Sequence, residues 1–146
     1  MKKKLFLVFV LAMALFFSCN TNDNPIPMVQ VDIKLSINNA ELASLQNPGG
    51  WAYVHGGVNG IFVYNFDNTT FYAYDRACPC NPKDAPLVYD ESLHVLCHKD
   101  TVNNCNSQFN VIMRGSVQHG DSHYPIREYK VIFQNGYLII KQDLYL

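Results

Sequence analysis

The chain is 146 residues long, carries a formal net charge of −1, and is 49% apolar and 13% aromatic. A chain of this size builds one domain with its own core, and its balanced charge excludes the basic surface that binds nucleic acid. We therefore expect a single domain and no nucleic-acid partner.

The N-terminal segment has the pattern of an export signal. Residues 2–4 are lysines, residues 5–17 form an unbroken apolar run, and the chain becomes polar directly after Cys19. A membrane-spanning helix needs about 20 apolar residues, so this run is too short to span. Its shape is that of a secretory h-region. The sequence therefore predicts a signal peptide over residues 1–18.

The end of this signal resembles the lipobox of bacterial lipoproteins. Ser18 is the small residue before Cys19, although Phe16 stands where that motif usually has Leu. The resemblance implies that the Cys19 thiol takes a diacylglycerol and tethers the protein to a membrane of the cell envelope. The absence of Asp after Cys19 favours the outer membrane. Residues 19–28 are rich in Asn, Pro and Thr and predict a flexible tether.

The remainder of the chain, residues 29–146, has the pattern of a β domain. Residues 29–37 alternate apolar and polar side chains, as half-buried strands do. Asn135-Gly136 is the strongest hairpin signal, because both residues tolerate positive φ. The other predicted strands are 51–55, 60–66, 70–75, 87–89, 94–96, 108–113, 127–133 and 137–142, with one short helical turn at 39–45.

Short strands separated by frequent turns predict an all-β fold, either an antiparallel sandwich or a small barrel. Aromatic and β-branched residues, which pack well on a pleated sheet, are plentiful. The predicted core comprises Val31, Ile33, Leu35, Val54, Ile61, Val63, Val131, Phe133 and Ile139.

Four cysteines lie in this domain, at positions 78, 80, 97 and 105. An even number in an oxidising compartment favours two disulfides, but four cysteines also match a tetrahedral metal site. Cys78 and Cys80 are one residue apart and do not readily bond each other, so each must reach Cys97 or Cys105. Two disulfide connectivities remain open.

The histidines add two reserve metal ligands, His98 and His94, close to Cys97 in the sequence. His55, His119 and His123 lie far along the chain, and we interpret them as solvent-facing loop residues. We recognise no hydrolytic or transferase site, because no Ser-His-Asp order and no His-rich metal motif stands out.

The motifs around the cysteines resemble the Rieske [2Fe-2S] family, particularly its ferredoxin-like and lipoprotein members. The resemblance covers most of the mature chain and implies a Rieske-type β fold, a site at the tip of two loops, and one-electron transfer to a redox partner protein. It depends on Trp51-Ala52-Tyr53-Val54-His55-Gly56-Gly57, Asp75-Arg76-Ala77-Cys78-Pro79, Cys105-Asn106-Ser107-Gln108-Phe109, Gly115-Ser116, Gly120-Asp121-Ser122, Pro125-Ile126 and Tyr129.

The ligand positions depart from the family pattern. The family carries Cys-x-His in the first loop and Cys-x-x-His in the second, and it binds one iron through two thiolates and the other through two imidazoles. Here Cys78 matches the first cysteine, but Cys80 and Cys105 stand at the two histidine positions. Val102 stands at the remaining cysteine position, and valine cannot coordinate iron.

Two interpretations of this site remain open. Cys78, Cys80, Cys97 and Cys105, with His98 in reserve, would hold a non-standard [2Fe-2S] cluster or metal ion. A cluster held by four thiolates has a low potential, nearer roughly −400 mV than the Rieske range. Alternatively, the fold has lost its cluster and keeps the cysteines as cross-loop disulfides, with a structural or binding role. Some members of the family place a disulfide between these same loops.

Overall fold

The computed structural model describes residues 24–99 and 105–142. These residues form two antiparallel sheets and one short 3-10 helix, Ala40–Gln46, which confirms the predicted all-β fold. The predicted signal peptide and Cys19 lie outside the described residues. In the described part of the chain, no helix is long and apolar enough to cross a membrane.

In residues 24–99 and 105–142, ten strands make up the two sheets. They are β1 (Val31–Ser36), β2 (Trp51–Val54), β3 (Ile61–Asn65), β4 (Phe71–Asp75), β5 (Val88–Asp90), β6 (Val95–Cys97), β7 (Gln108–Asn110), β8 (Ser116–His119), β9 (Glu128–Gln134) and β10 (Tyr137–Gln142).

The large sheet has six strands in the order β1-β10-β9-β4-β3-β2. Strands β9 and β10 form the predicted hairpin, and its two turn residues, Asn135 and Gly136, have φ of 53° and 75°. Both values lie in the left-handed region that a two-residue hairpin turn requires, which is why Asn-Gly is favoured there. Strand β1 pairs with β10 along its whole length and so joins the two ends of the domain.

The core prediction is confirmed for most residues but wrong for Ile139. Leu138 and Ile140 are fully buried, whereas Ile139 is only half-buried and lies outside the core cluster. The register explains the error, because Leu138 and Ile140 pair with Leu35 and Ile33 and directly opposed residues share a face. Strand β10 is apolar at three consecutive positions, so its own pattern does not show which face is buried.

The small sheet has four strands of three or four residues, in the order β5-β6-β7-β8. It packs against the large sheet through a second core cluster that includes Phe62 and Tyr74 from one sheet and Leu96 and Phe109 from the other. The hydroxyl of Tyr74 also donates a hydrogen bond of 2.8 Å to the carbonyl of Val111.

The small sheet differs from the predicted strands in two places. The predicted strand 108–113 ends at Asn110, because the side-chain oxygen of Asn110 accepts the backbone N–H groups of Ile112 and Met113 and turns the chain. His94, predicted in a strand, has φ of 53° and lies in the turn before β6. Strand β8 was not predicted, since Val117 is its only apolar residue.

The described end of the predicted tether packs on the domain. Ile26 is fully buried, and its carbonyl accepts a hydrogen bond from the Arg127 guanidinium. The side chain of Asn24 donates to the carbonyl of Pro125 at 2.8 Å. These contacts place Ile26 with the β domain, although the sequence pattern assigns it to the tether.

Candidate redox and metal site

Three loops meet at one tip of the small sheet. The first loop is residues 76–87 between β4 and β5, the second is residues 98–107 between β6 and β7, and the third is residues 120–127 between β8 and β9. Residues 100–104 of the second loop, which include Val102, lie outside the described residues. Cys78, Cys80, His98 and Cys105 belong to the first or second loop, and Cys97 ends the strand before the second loop.

The base of the first loop is fixed by the buried carboxylate of Asp75. Its two oxygens accept the backbone N–H groups of Val58, Asn59 and Ala77, at 2.6, 3.2 and 2.8 Å. The hydroxyl of Tyr129 donates a further hydrogen bond of 2.5 Å. A buried carboxylate needs such donors to offset its lost hydration. Because these donors come from the segment after β2, the first loop and β9, they fix where the first loop leaves the large sheet.

The first loop closes on itself and thereby separates its two cysteines. The N–H of Leu87 donates to the carbonyl of Arg76 at 2.7 Å, and the guanidinium of Arg76 donates to the carbonyl of Leu87 at 2.8 Å. Within this closed loop Cys78 is fully buried, whereas Cys80 is exposed. The tripeptide Cys78-Pro79-Cys80 therefore places one cysteine in the core and the other at the surface.

A disulfide joins the first and second loops. It links Cys80 to Cys105, with a Cα–Cα distance of 6.3 Å, which is within the usual range for bridged cysteines. The sulfur of Cys78 lies 3.1 Å from that of Cys105. Among the described residues, Cys78 and Cys97 are free thiols, so the second disulfide that the cysteine count favours is absent there.

His98 is the imidazole at this site. It directly follows β6, is 5% exposed, and its Nε2 atom has no hydrogen-bond partner among the described residues. A ring nitrogen of His98 and the sulfurs of Cys78 and Cys105 all lie within 4.8 Å of one another. Burial lowers the pKa of His98 and raises the pKa of Cys78, so both side chains favour their neutral forms.

Cys97 has different surroundings from this group. It lies on β6 opposite Val88 and Gln108, and burial together with the nearby charge of Asp90 raises its pKa. The charge of Asp84 in the first loop instead affects the pKa values of Cys78 and His98. Cys97 is not in the group of donor atoms that converges at the tip.

The third loop covers the second loop and was not predicted to support the site. The N–H of Ser122 donates to the hydroxyl of Ser107 at 2.9 Å, and that hydroxyl lies 3.6 Å from the sulfur of Cys80. Gly120 has φ of 97° and lies against the backbone of Asn106 and Ser107, where a Cβ atom would overlap it. A residue with a side chain would therefore displace the second loop.

His94, the other reserve ligand, lies away from this tip. It is exposed, and its Nδ1 atom is 2.9 Å from the hydroxyl of Tyr89. This contact accounts for one of its ring nitrogens without a metal.

Comparison with known proteins supports the fold. No protein-family model matches the chain, and no curated protein matches it. Among solved structures, it is similar to the ferredoxin of carbazole 1,9a-dioxygenase from Nocardioides aromaticivorans, with a TM-score of 0.50 and 14% sequence identity. The match covers 79% of this chain and 99% of that one. The two curled sheets thus have the fold of a Rieske-type ferredoxin.

The donor set can be tested against the [2Fe-2S] cluster that this fold implies. A Rieske cluster needs two thiolates on one iron and two imidazoles on the other. Cys80 and Cys105, which the sequence resemblance assigns to the histidine positions, are joined to each other and offer no thiolate while the disulfide is closed. The described donors also converge within 4.8 Å, which is compact for ligands on two different irons. In the disulfide form, the residues do not fit a [2Fe-2S] cluster.

Proposed function

We propose that the protein is a lipid-anchored redox protein of the cell envelope that uses a disulfide on a Rieske-like scaffold as its electron-accepting group. The observation that carries this proposal is the Cys80–Cys105 disulfide, which joins the two site loops at the positions where the family has its two histidines. The predicted signal peptide and the predicted lipidation of Cys19 support the location in the cell envelope. The absence of Asp directly after Cys19 favours the outer membrane.

The exposure of the disulfide supports exchange with a partner protein. Cys80 and Cys105 of the disulfide are exposed and half-buried, respectively, whereas the free thiol of Cys78 is buried. Thiol–disulfide exchange starts when a thiolate attacks an accessible sulfur. A partner therefore reaches Cys80 first, and the burial that raises the pKa of Cys78 keeps this neighbouring thiol protonated and unreactive.

The reaction balances with a dithiol partner. The partner's thiolate attacks the Cys80 sulfur and forms a mixed disulfide, while Cys105 leaves as a thiolate and takes up a proton. The partner's second thiol then loses its proton and attacks the partner's first sulfur, which is bonded to Cys80 in the mixed disulfide. Cys80 leaves as a thiolate and also takes up a proton. The partner dithiol is thereby oxidised, and the Cys80–Cys105 pair gains two electrons and two protons.

One-electron transfer through a [2Fe-2S] cluster is the second candidate function. The observation that favours it is the convergence of the two site loops at one tip of a Rieske-like fold. This function requires that the disulfide opens first, because only then do Cys80 and Cys105 regain thiolates.

A redox titration of the detergent-purified full chain tests the proposal. Thiols are counted by alkylation and mass spectrometry across buffers of defined dithiol/disulfide ratio, with Cys97→Ser as the control that leaves the tip unchanged. We expect Cys80 and Cys105 to become reduced together at a potential between roughly −120 and −270 mV, the range of thiol-redox proteins. Reduction only below about −300 mV, the range of structural disulfides, would contradict the proposal.

Anaerobic incubation of the reduced chain with iron and sulfide separates the two candidates. Stable uptake of two irons per chain, with the absorption and paramagnetic resonance of a [2Fe-2S] centre, would favour the electron carrier over the disulfide couple.

The lipid anchor is tested separately. The Cys19→Ala variant is expected to stay as an unprocessed precursor or to leave the membrane fraction, whereas membrane retention of a mature-sized variant would contradict the predicted lipidation.

A further inference from the structure

The imidazole of His98 is a buried group at the tip that the disulfide reaction does not use. Its Nε2 atom is buried and has no hydrogen-bond partner among the described residues. Leaving a buried polar atom unpaired is unfavourable. A buried imidazole with a ring nitrogen close to two sulfurs is placed as a metal ligand would be.

The sulfurs around His98 complete a tetrahedral donor set once the disulfide opens. The ligand atoms of Cys78, His98 and Cys105 already lie within 4.8 Å of one another, and the sulfur of Cys80 is bonded to that of Cys105. Zinc–sulfur bonds of about 2.3 Å place the ligands of a tetrahedral ion roughly 3.8 Å apart. The tip therefore has the dimensions of a site for one ion.

The backbone of the first loop contacts the sulfur of Cys78. The N–H groups of Cys80 and Asn81 donate hydrogen bonds to that sulfur. Thiols coordinate a divalent ion as thiolates, so their protons are released when the ion binds.

We propose that reduction of the disulfide turns this tip into a mononuclear site for zinc, or for a divalent ion of similar preference for thiolates. Its ligands are Cys78, Cys80, His98 and Cys105, a Cys₃His set that occurs in structural zinc sites. Two electrons and two protons from a dithiol open the disulfide, and metal binding then releases the protons of the three thiols. A disulfide-bonded partner protein can reoxidise Cys80 and Cys105 by thiol–disulfide exchange: it accepts the two electrons, its two sulfurs leave as thiolates that take up protons, and the loss of two ligands expels the ion.

This inference rests on the proposed function, because it requires a reducible disulfide. It differs from the ligand set expected from the sequence, since His98 takes the place of Cys97. Structural zinc sites have four nitrogen or sulfur ligands and no open position. We assign the fourth ligand to His98 because Cys97 is not in the group that converges at the tip.

Cobalt titration of the detergent-purified full chain tests the site, because tetrahedral cobalt reports its ligands by visible absorption. We expect the reduced chain to bind one cobalt ion, with sulfur-to-cobalt charge-transfer bands and displacement by zinc, and the oxidised chain to bind none. His98→Ala and Cys78→Ser should each weaken binding by roughly tenfold or more. His98→Ala should also shift the visible bands, which a purely structural effect would not do.

Cys97→Ser and His94→Ala are the matched controls and should bind as the wild type does. A reduced chain that binds no cobalt would overturn the metal inference while leaving the disulfide function intact. Unchanged affinity in His98→Ala, or lost affinity in Cys97→Ser, would overturn the ligand assignment. A disulfide that cannot be reduced in the folded chain would instead contradict the proposed function, which the thiol count reports independently.

Discussion

The two sheets of this domain are stabilised in different ways. The large sheet has strands of four to seven residues and a mainly aliphatic core closed by the pairing of β1 with β10. The small sheet has strands of three or four residues, one register irregularity next to Phe109, and a disulfide across its loops. The large sheet is a scaffold, and the small sheet depends on it and on covalent closure to hold the site.

The largest expected effect separates the contributions of packing in the two sheets. Phe109→Ala removes a fully buried ring between the sheets and should lower the free energy of unfolding by about 3–5 kcal/mol. Ile140→Ala, in the core of the large sheet, should cost about 2–5 kcal/mol. Hydrogen exchange should show that Phe109→Ala exposes amides of β5–β8 first, whereas Ile140→Ala exposes both sheets together. Equal exposure in both variants would contradict the division.

Removal of the disulfide should come next in size. Cys105→Ser removes the disulfide, which closes a loop with a sequence separation of 25, and should cost roughly 3 kcal/mol by chain entropy. Cys78 and Cys80 should not replace the lost disulfide, because they do not readily bond each other.

Cys80→Ser is the sharper partner variant. It leaves Cys78 only 3.1 Å from Cys105, so oxidation should form a Cys78–Cys105 disulfide and retain most of the stability. Urea unfolding and disulfide mapping check both variants. Similar losses in the two variants, with no new disulfide in Cys80→Ser, would contradict the geometry.

The junction between scaffold and site should show a smaller effect. Tyr129→Phe removes a hydrogen bond to the buried Asp75 carboxylate and should cost about 1.5–3 kcal/mol, the range for bonds to charged groups. Tyr137→Phe is the control, since Tyr137 lies in the same sheet but is 41% exposed. Urea unfolding and amide exchange at Ala77 report the change. A loss no larger than that of the control would show that the three backbone donors suffice to fix Asp75.

The contrast between the sheets also explains what the sequence could predict. Strand β1 alternates cleanly, and Asn135-Gly136 specifies its hairpin locally, so these elements were predicted from neighbouring residues alone. Strand β8 has a single apolar side chain, and its position is fixed by pairing with β7, which is not visible in its own pattern.

The sequence indicated the two site loops but not the pairing of their cysteines. Cysteine spacing and the family resemblance pointed to the two loops, but both connectivities and a metal site satisfied the same count. Burial decides the outcome, since it encloses Cys78 and leaves Cys80 exposed, and burial depends on the closed first loop. The motifs of the family resemblance include Ser107, Gly120 and Ser122, but they did not show that the third loop packs on the second. The structure shows this packing through the hydrogen bond from Ser122 to Ser107 and the close backbone approach at Gly120.

The smallest expected effect is local to the large sheet and depends on pH. The exposed carboxylate of Asp67 caps the β3–β4 turn by accepting hydrogen bonds from the hydroxyl and N–H of Thr69 and from those of Thr70, which lowers the pKa of Asp67 from 3.8 to about 2. A carboxylate with a depressed pKa in the folded state stabilises the protein above its unfolded pKa. Its contribution should therefore be complete above pH 3.8 and be lost as the pH falls towards 2.

Asp67→Ala should accordingly be less stable than the wild type near neutral pH, and the difference should shrink towards zero as the pH falls to about 2. Asp32→Ala is the control, since Asp32 is an exposed carboxylate that lies 3.9 Å from the Lys141 ammonium. Thermal unfolding across this pH range gives the difference, and side-chain NMR titration gives the pKa of Asp67 directly. Because the cap lies in the large sheet, thiol counts at the tip should not change. A stability difference that persists at low pH would instead indicate that the side chain acts by packing and not by its charge.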